Sequence, residues 1–129
     1  MSISITCEWL EKASRDIRMA ELAISEELYD EAAFHCQQAA EKALKALLVA
    51  YRIKPPKTHS LERLLVLLRD RVDVAWAYEE DLPALTYYAV EARYPGPPVS
   101  EEEALAALRL ARKTLEWVKV RLEEIGIRC

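Results

Sequence analysis

Five polar side chains, Gln37, Gln38, Glu41, Lys42 and Lys45, fall within nine residues of AFHCQQAAEKALKALL (residues 33–48), a stretch otherwise rich in Ala and Leu. Amides, a carboxylate and two ammonium groups so spaced have two uses. They can grip a polar ligand, or they can form a solvated helix face with Gln38–Lys42 and Glu41–Lys45 paired at i,i+4. At about 100° per residue, Gln38, Glu41, Lys42, Lys45 and Arg52 share one face with His35 at its border, and the solvated reading accounts for them. Gln37 does not belong to that face. It lies among Leu44 and Leu48, where an amide without a partner is costly, so it must meet a polar group across the fold or a ligand.

Other residues that carry chemistry are few. Asp16 stands at the edge of an apolar helix face, suited to a peripheral ion pair or to a ligand. The two histidines, His35 and His59, have no Glu three residues earlier, so the ExxH of di-iron bundles is absent. The two glycines, Gly96 and Gly126, make no phosphate-cradling loop. No metal site, cofactor or Walker-type nucleotidase is expected. His59, in KTHSL, reads as a capping or packing residue at a helix start. Cys7, Cys36 and Cys129 form no CxxC pair, so neither a zinc site nor a disulfide framework is expected. Reduced thiols in a cytoplasmic protein are the simplest reading. The N-terminal residues lack a signal peptide's basic and apolar regions, and no apolar run reaches the roughly 18 residues of a membrane span.

The elements that must position these residues are helical. At 129 residues, the chain is expected to form one domain, 1–129, around a single core. A net charge of −4 excludes a uniformly basic nucleic-acid binder while leaving room for a local basic patch. Asn is absent and Gln occurs twice, against many Glu and Arg, a bias that hints at a thermophile. The first helix, about 8–27, aligns Trp9, Ala13, Ile17, Ala20, Ile24 and Leu28. The second, about 30–52, opens at a favoured N-cap, Asp30, and is ended by KPPK. It carries a small stripe, Ala39, Ala43, Ala46 and Ala50, beside a bulkier one, Cys36, Ala40, Leu44, Leu47, Leu48 and Tyr51. An arc of roughly 200° makes this helix central, with the alanines letting a neighbour approach closely.

A short third helix follows Thr58 or Ser60 and carries Leu61, Leu64, Leu65 and Leu68. Residues 72–80 are ambiguous, and a fourth helix is expected over 81–93 with Pro83 in its first turn. RYPGPP then stops the chain. The last helix opens on a capping box, Ser100 with Glu103. Ala104, Leu108, Ala111, Leu115, Val118, Leu122 and Ile125 line its face, and Gly126 supplies the left-handed stop. The architecture expected is all-α, an up-and-down helical bundle.

The segments YDEAAFHCQQAAEKALKALL, THSLERLL and YAVEARYP, with WLEKASRDIRMAE before them, resemble the HEPN (higher eukaryotes and prokaryotes nucleotide-binding) family from about Trp9 to Leu122. The pattern A-x-F-x-x-Q-Q-A-A-E-K-x-L-K is the most specific part. The resemblance implies four long helices plus a short extra one, and a homodimer acting beside a small nucleotidyltransferase, in some cases as a toxin–antitoxin pair. Many family members are metal-independent RNases with an R-x4-6-H motif. Here Arg93 is followed by YPGPPVSEEE, which contains no His, so general acid–base chemistry from that position is missing. The chain instead resembles the subgroup with Arg-Tyr-Pro at this corner, for which nucleotide or partner binding is implied. Arg93 is suited to a bidentate grip on phosphate and Tyr94 to stacking on a base. Lys42 and Lys45 would add charge, and Asp16, Gln37 and Gln38 would meet sugar or base edges. The structural alternative pairs Arg93 with Asp16 or Glu41 and fastens the corner.

Three functions follow. One is a non-catalytic nucleotide-binding module, with no residue in a catalytic role. The second is an RNase toxin with a rearranged site, which requires His35 or His59 near Arg93 and RNA as substrate. The third is a purely structural partner protein. The alanine stripe and the last helix compete for the dimer face.

Overall fold

The computed structural model describes residues 2–129, and among these every regular element is helical. The α-helices are α1 (Ser2–Ser25), α2 (Tyr29–Ala50), α3 (Leu61–Leu68), α4 (Ala75–Glu79) and α5 (Glu101–Glu124), with 3-10 helices over Leu82–Ala89 and Glu91–Arg93. No helix among the described residues is long and apolar enough to cross a membrane. The helical bundle expected from the sequence is formed around α2, which packs against α1, α5, α3 and both 3-10 segments. Asp30 and Tyr29 at the start of α2 bond to Val99 and Glu101 at the start of α5. Cys7 near the start of α1 meets Cys129 beyond the end of α5. Thus α5 runs alongside α2, and α1 runs against both.

The alanine stripe is what lets the helices approach. Ala39, Ala43 and Ala46 of α2, Ala13 and Ala20 of α1, and Ala111 of α5 are all completely buried. Leu44, Leu47 and Leu48 fill the space beside them with the four buried leucines of α3, Leu61, Leu64, Leu65 and Leu68, each contributing about 2 kcal/mol of apolar burial.

Helix ends differ from the expected bounds for local reasons. Helix α1 starts six residues early, where Thr6 is buried. It ends at Ser25 because Glu27 turns left-handed at φ 61° and Leu28 N–H donates back to Ala23 O at 2.8 Å. This Schellman-type turn leaves Leu28 exposed instead of on the core face. Asp30 does not cap its own helix; its Oδ1 accepts from Val99 N–H at 2.7 Å and ties two helix starts together. Helix α2 stops at Ala50, with Arg52 left-handed at φ 61° ahead of the two prolines.

The ambiguous stretch holds the short helix α4, and the fourth position of the bundle is filled by a broken run instead of one α-helix. Asp81 is left-handed (φ 56°), and residues 82–89 wind as a 3-10 helix. Pro83 removes a donor, while Thr86, Tyr87, Tyr88 and Val90 are weak α-formers. A three-residue period buries Leu82 and Leu85 and leaves Ala84, Tyr87, Val90 and Arg93 facing solvent.

The capping box of α5 is present in both directions, at 3.0 and 3.1 Å. Its apolar face is buried to Leu122, but Ile125 is 43% exposed. The helix ends one residue earlier, and Gly126 (φ 83°) folds the tail so that Ile127 N–H donates to Leu122 O at 2.9 Å. The expectation of three reduced thiols holds for buried Cys36 alone: Cys7 and Cys129 form a disulfide across 122 residues. Pairing at such separation leaves no local spacing signal.

Candidate functional site

Two carboxylates anchor two polar clusters along α2. Asp16 projects from α1 between His35 and Lys42, which lie two helical turns apart on one side of α2. Its Oδ2 accepts from Lys42 Nζ at 2.6 Å and its Oδ1 from His35 Nδ1 at 2.8 Å. Burial alone would push the Asp16 carboxyl up, but the bonds from His35 and Lys42 outweigh it and hold the group below the ordinary carboxylate range. Asp16 is therefore a buried ion-pair centre with both oxygens engaged.

Glu41 is the second centre. Its Oε2 accepts from Lys45 Nζ at 2.8 Å, and its Oε1 from His59 Nδ1 at 2.8 Å and from the amides of Gln37 and Gln38 at 3.3 Å each. Here too burial raises the carboxyl and the bonds from Lys45 and His59 more than reverse it. The solvated face expected for these residues is corrected at this point. Glu41 and Lys45 are only 4% and 7% exposed, because the entry to α3 covers one side and Trp9 the other, its ring 5.8 Å from Lys45 Nζ. The i,i+4 pairing of Glu41 with Lys45 is present, but inside the fold. Lys42 pairs across to Asp16 instead of along its own helix with Gln38.

Gln37 finds the cross-bundle partner it needs. It is completely buried and donates from Nε2 to His59 O at 2.9 Å, while its Oε1 accepts from Gln38 at 2.7 Å. This is a structural use: Gln37 fastens the chain entering α3. The side chains of Ser60 and Thr58 complete the start of that helix.

Arg93 ends the second 3-10 segment and is exposed. Its guanidinium carbon lies 5.1 Å from the centroid of half-buried Phe34, a cation–π distance. Among the described residues it has no ion-pair partner. The alternative that it fastens the corner to Asp16 or Glu41 is not what is found, since both carboxylates are already taken. Phe34 meets His35 edge-on at 5.2 Å, so a continuous row runs Arg93, Phe34, His35, Asp16, Lys42. Tyr94 is 63% exposed beside Arg93, and Tyr87 stands on the same exposed edge, packed edge-on to Tyr88.

The expected residues thus divide. Asp16 and Lys42 join the Arg93 row through His35 and Phe34; Gln37, Gln38 and Lys45 belong to the Glu41 cluster and are largely committed there. Arg93 and Tyr94 keep their polar groups available. His35 and His59, which the sequence suggests only for the RNase alternative and not among the binding candidates, are members of the two clusters. Each donates Nδ1–H to a carboxylate. Their partners lie 19 and 18 residues away on other elements, so no motif of fixed spacing announces them. No group of three or more His, Cys, Asp or Glu suited to a metal occurs among the described residues. A groove of about 590 Å³ lies at the opposite end, between α1 and the end of α5.

Residues 6–121 match the HEPN domain family. The fold is similar to the crystal structure of TT1696 from Thermus thermophilus, with a TM-score of 0.80 and 34% sequence identity, covering 91% of this chain and 98% of that one. None of the curated proteins compared with the chain matches it.

Proposed function

Since this chain belongs to the HEPN domain family, we propose that it works as a non-catalytic nucleotide-binding module, a homodimer acting beside a separate small nucleotidyltransferase, as in a toxin–antitoxin pair. The observation that carries the reading is the state of Arg93. An exposed guanidinium backed by an aromatic ring and free of any carboxylate is a ready phosphate ligand, and Tyr94 and Tyr87 supply ring faces for a base. Lys42 and His35 sit behind Phe34 as the inner wall, with Asp16 fixing both. Gln37, Gln38 and Lys45 support the wall and do not touch the ligand. Calorimetric titration with ATP tests the reading: binding is expected, and an Arg93→Ala protein that binds equally well would sink it. Co-purification of the native protein tests the partner, with a nucleotidyltransferase as the expected companion.

One observation favours a second reading, a metal-independent RNase with a rearranged site. His35 lies one aromatic ring from Arg93, and its Nδ1 is held by Asp16 in the manner of a carboxylate-oriented general base. A metal-free cleavage assay on structured and single-stranded RNA decides between the two. Cleavage that disappears in His35→Ala supports the RNase; no cleavage by the folded wild type supports the binding module.

A further inference from the structure

At the end of the bundle opposite Arg93, the Cys7–Cys129 disulfide ties the tail beyond α5 to α1. Beyond Glu124 the tail is turned back by Gly126; its backbone bonds, from Ile125 and Ile127 to Leu122 O and from Gly126 to Glu123 O, all return to the end of α5 itself, and a 3.6 Å pair joins Arg128 to Glu123 in solvent. An exposed pair of that kind is worth less than about 1 kcal/mol. Ile127 packs on the core, and together with Cys7 and Cys129 it lines the groove over Leu10 and Leu122. The position of one groove wall therefore depends on a covalent bond.

The two sulfurs differ in access. Cys129 is exposed, whereas Cys7 is half-buried on α1. Cys36 is wholly buried, and burial pushes its thiol up to about 12, so it takes no part in exchange at neutral pH.

We propose that the Cys7–Cys129 bond is a thiol–disulfide exchange site for a dithiol reductant, and that its reduction releases the tail and opens the groove between α1 and α5. A thiolate of the dithiol attacks Cys129 Sγ, the accessible sulfur, forming a mixed disulfide and expelling Cys7 as the thiolate. The second thiol then attacks the reductant's own sulfur in that mixed disulfide, closing the oxidised reductant and releasing Cys129. Two electrons pass to the protein, and the two thiol protons finish on Cys7 and Cys129.

The test uses the full chain under native conditions with dithiothreitol as the probe. Alkylation read by mass should show two labels gained after reduction, with Cys36 labelled only in denaturant. Hydrogen exchange should show loss of protection over residues 119–129 and the first turns of α1, and none over residues 29–45. The Cys129→Ser protein, prepared without reductant, should reproduce the exchange pattern of the reduced wild type. Three results overturn the proposal: no label gained without denaturant, labels gained with unchanged protection at the tail, or three free thiols before any reductant is added. A Cys129→Ser protein that keeps its tail protected also overturns it.

Discussion

The guanidinium of Arg93 lies 5.1 Å from the Phe34 ring centroid, and the same ring meets His35 edge-on at 5.2 Å. The arginine is thus held by a face and not by a charge. Its position is fixed while its donors stay available, which an ion pair to Asp16 would not allow.

Replacing Arg93 by Ala should lower affinity for ATP about tenfold or more, the loss of a charge-assisted contact. The stability change should not exceed about 1 kcal/mol, since only an exposed cation–π contact is removed. Arg93→Lys keeps the charge but loses the planar fork, so its affinity should fall between the two. Calorimetric titration alongside urea unfolding reads both quantities.

Asp16→Asn strips Lys42 and His35 of their shared carboxylate. Breaking a well-buried pair costs about 3–5 kcal/mol; because Lys42 is a quarter exposed, about 2–3 kcal/mol is expected. If urea unfolding shows a loss below about 0.5 kcal/mol, the cluster is a surface pair in all but name.

Acid should unfold the protein through the same two carboxylates. Asp16 and Glu41 both have folded-state pKa values below their unfolded ones. Their stabilisation is therefore complete above about pH 5 and is lost as pH falls through the folded-state values, below about pH 4. Unfolding free energy measured from pH 3 to 7 should be flat at the upper end and fall at the lower. The Asp16→Asn/Glu41→Gln double variant should start lower and show a shallower slope.

Gln37→Leu should cost about 1–3 kcal/mol despite its apolar surroundings, because the His59 carbonyl and the Gln38 amide lose a buried partner. Chemical denaturation measures the loss, and hydrogen exchange should place the loosening at residues 58–62. An unchanged midpoint would mean that water takes over the amide's bonds.

The disulfide closes a loop of 122 residues, for which the chain-entropy account gives up to about 5 kcal/mol. Thermal unfolding with and without dithiothreitol should show a lower Tm in the reduced protein. Reduced and oxidised Tm values that coincide would indicate that the unfolded chain gains nothing from the cross-link.

Much of the fold is legible in the sequence because it rests on local rules. The capping box of Ser100 and Glu103, the left-handed Gly126, the four buried leucines of α3 and the alanines of α2 are each fixed by propensity, period or cap. The 3-10 run at 82–93 is not, because Leu82 and Leu85 satisfy a three-residue period that resembles a frayed α-helix until the backbone is seen. The site is only half legible. That Gln37 needs a partner follows from its place among leucines. That Glu41 is buried depends on His59 and Trp9, which arrive from elsewhere in the chain. Asp30 looks like a cap and accepts from Val99 N–H instead, because an N-cap preference is weak beside a tertiary donor.

The completely buried alanines of α1, α2 and α5 carry a consequence for descent. At Ala13, Ala39, Ala43 and Ala46 each added methyl would have to push neighbouring helices apart, at about 1–3 kcal/mol apiece, against a total margin of about 5–15 kcal/mol. Lineages that keep this bundle should therefore drift slowest at the side chains with the least chemistry. Exposed Tyr87, Val90 and Tyr94, which the core does not constrain, are left open to selection by whatever the protein meets.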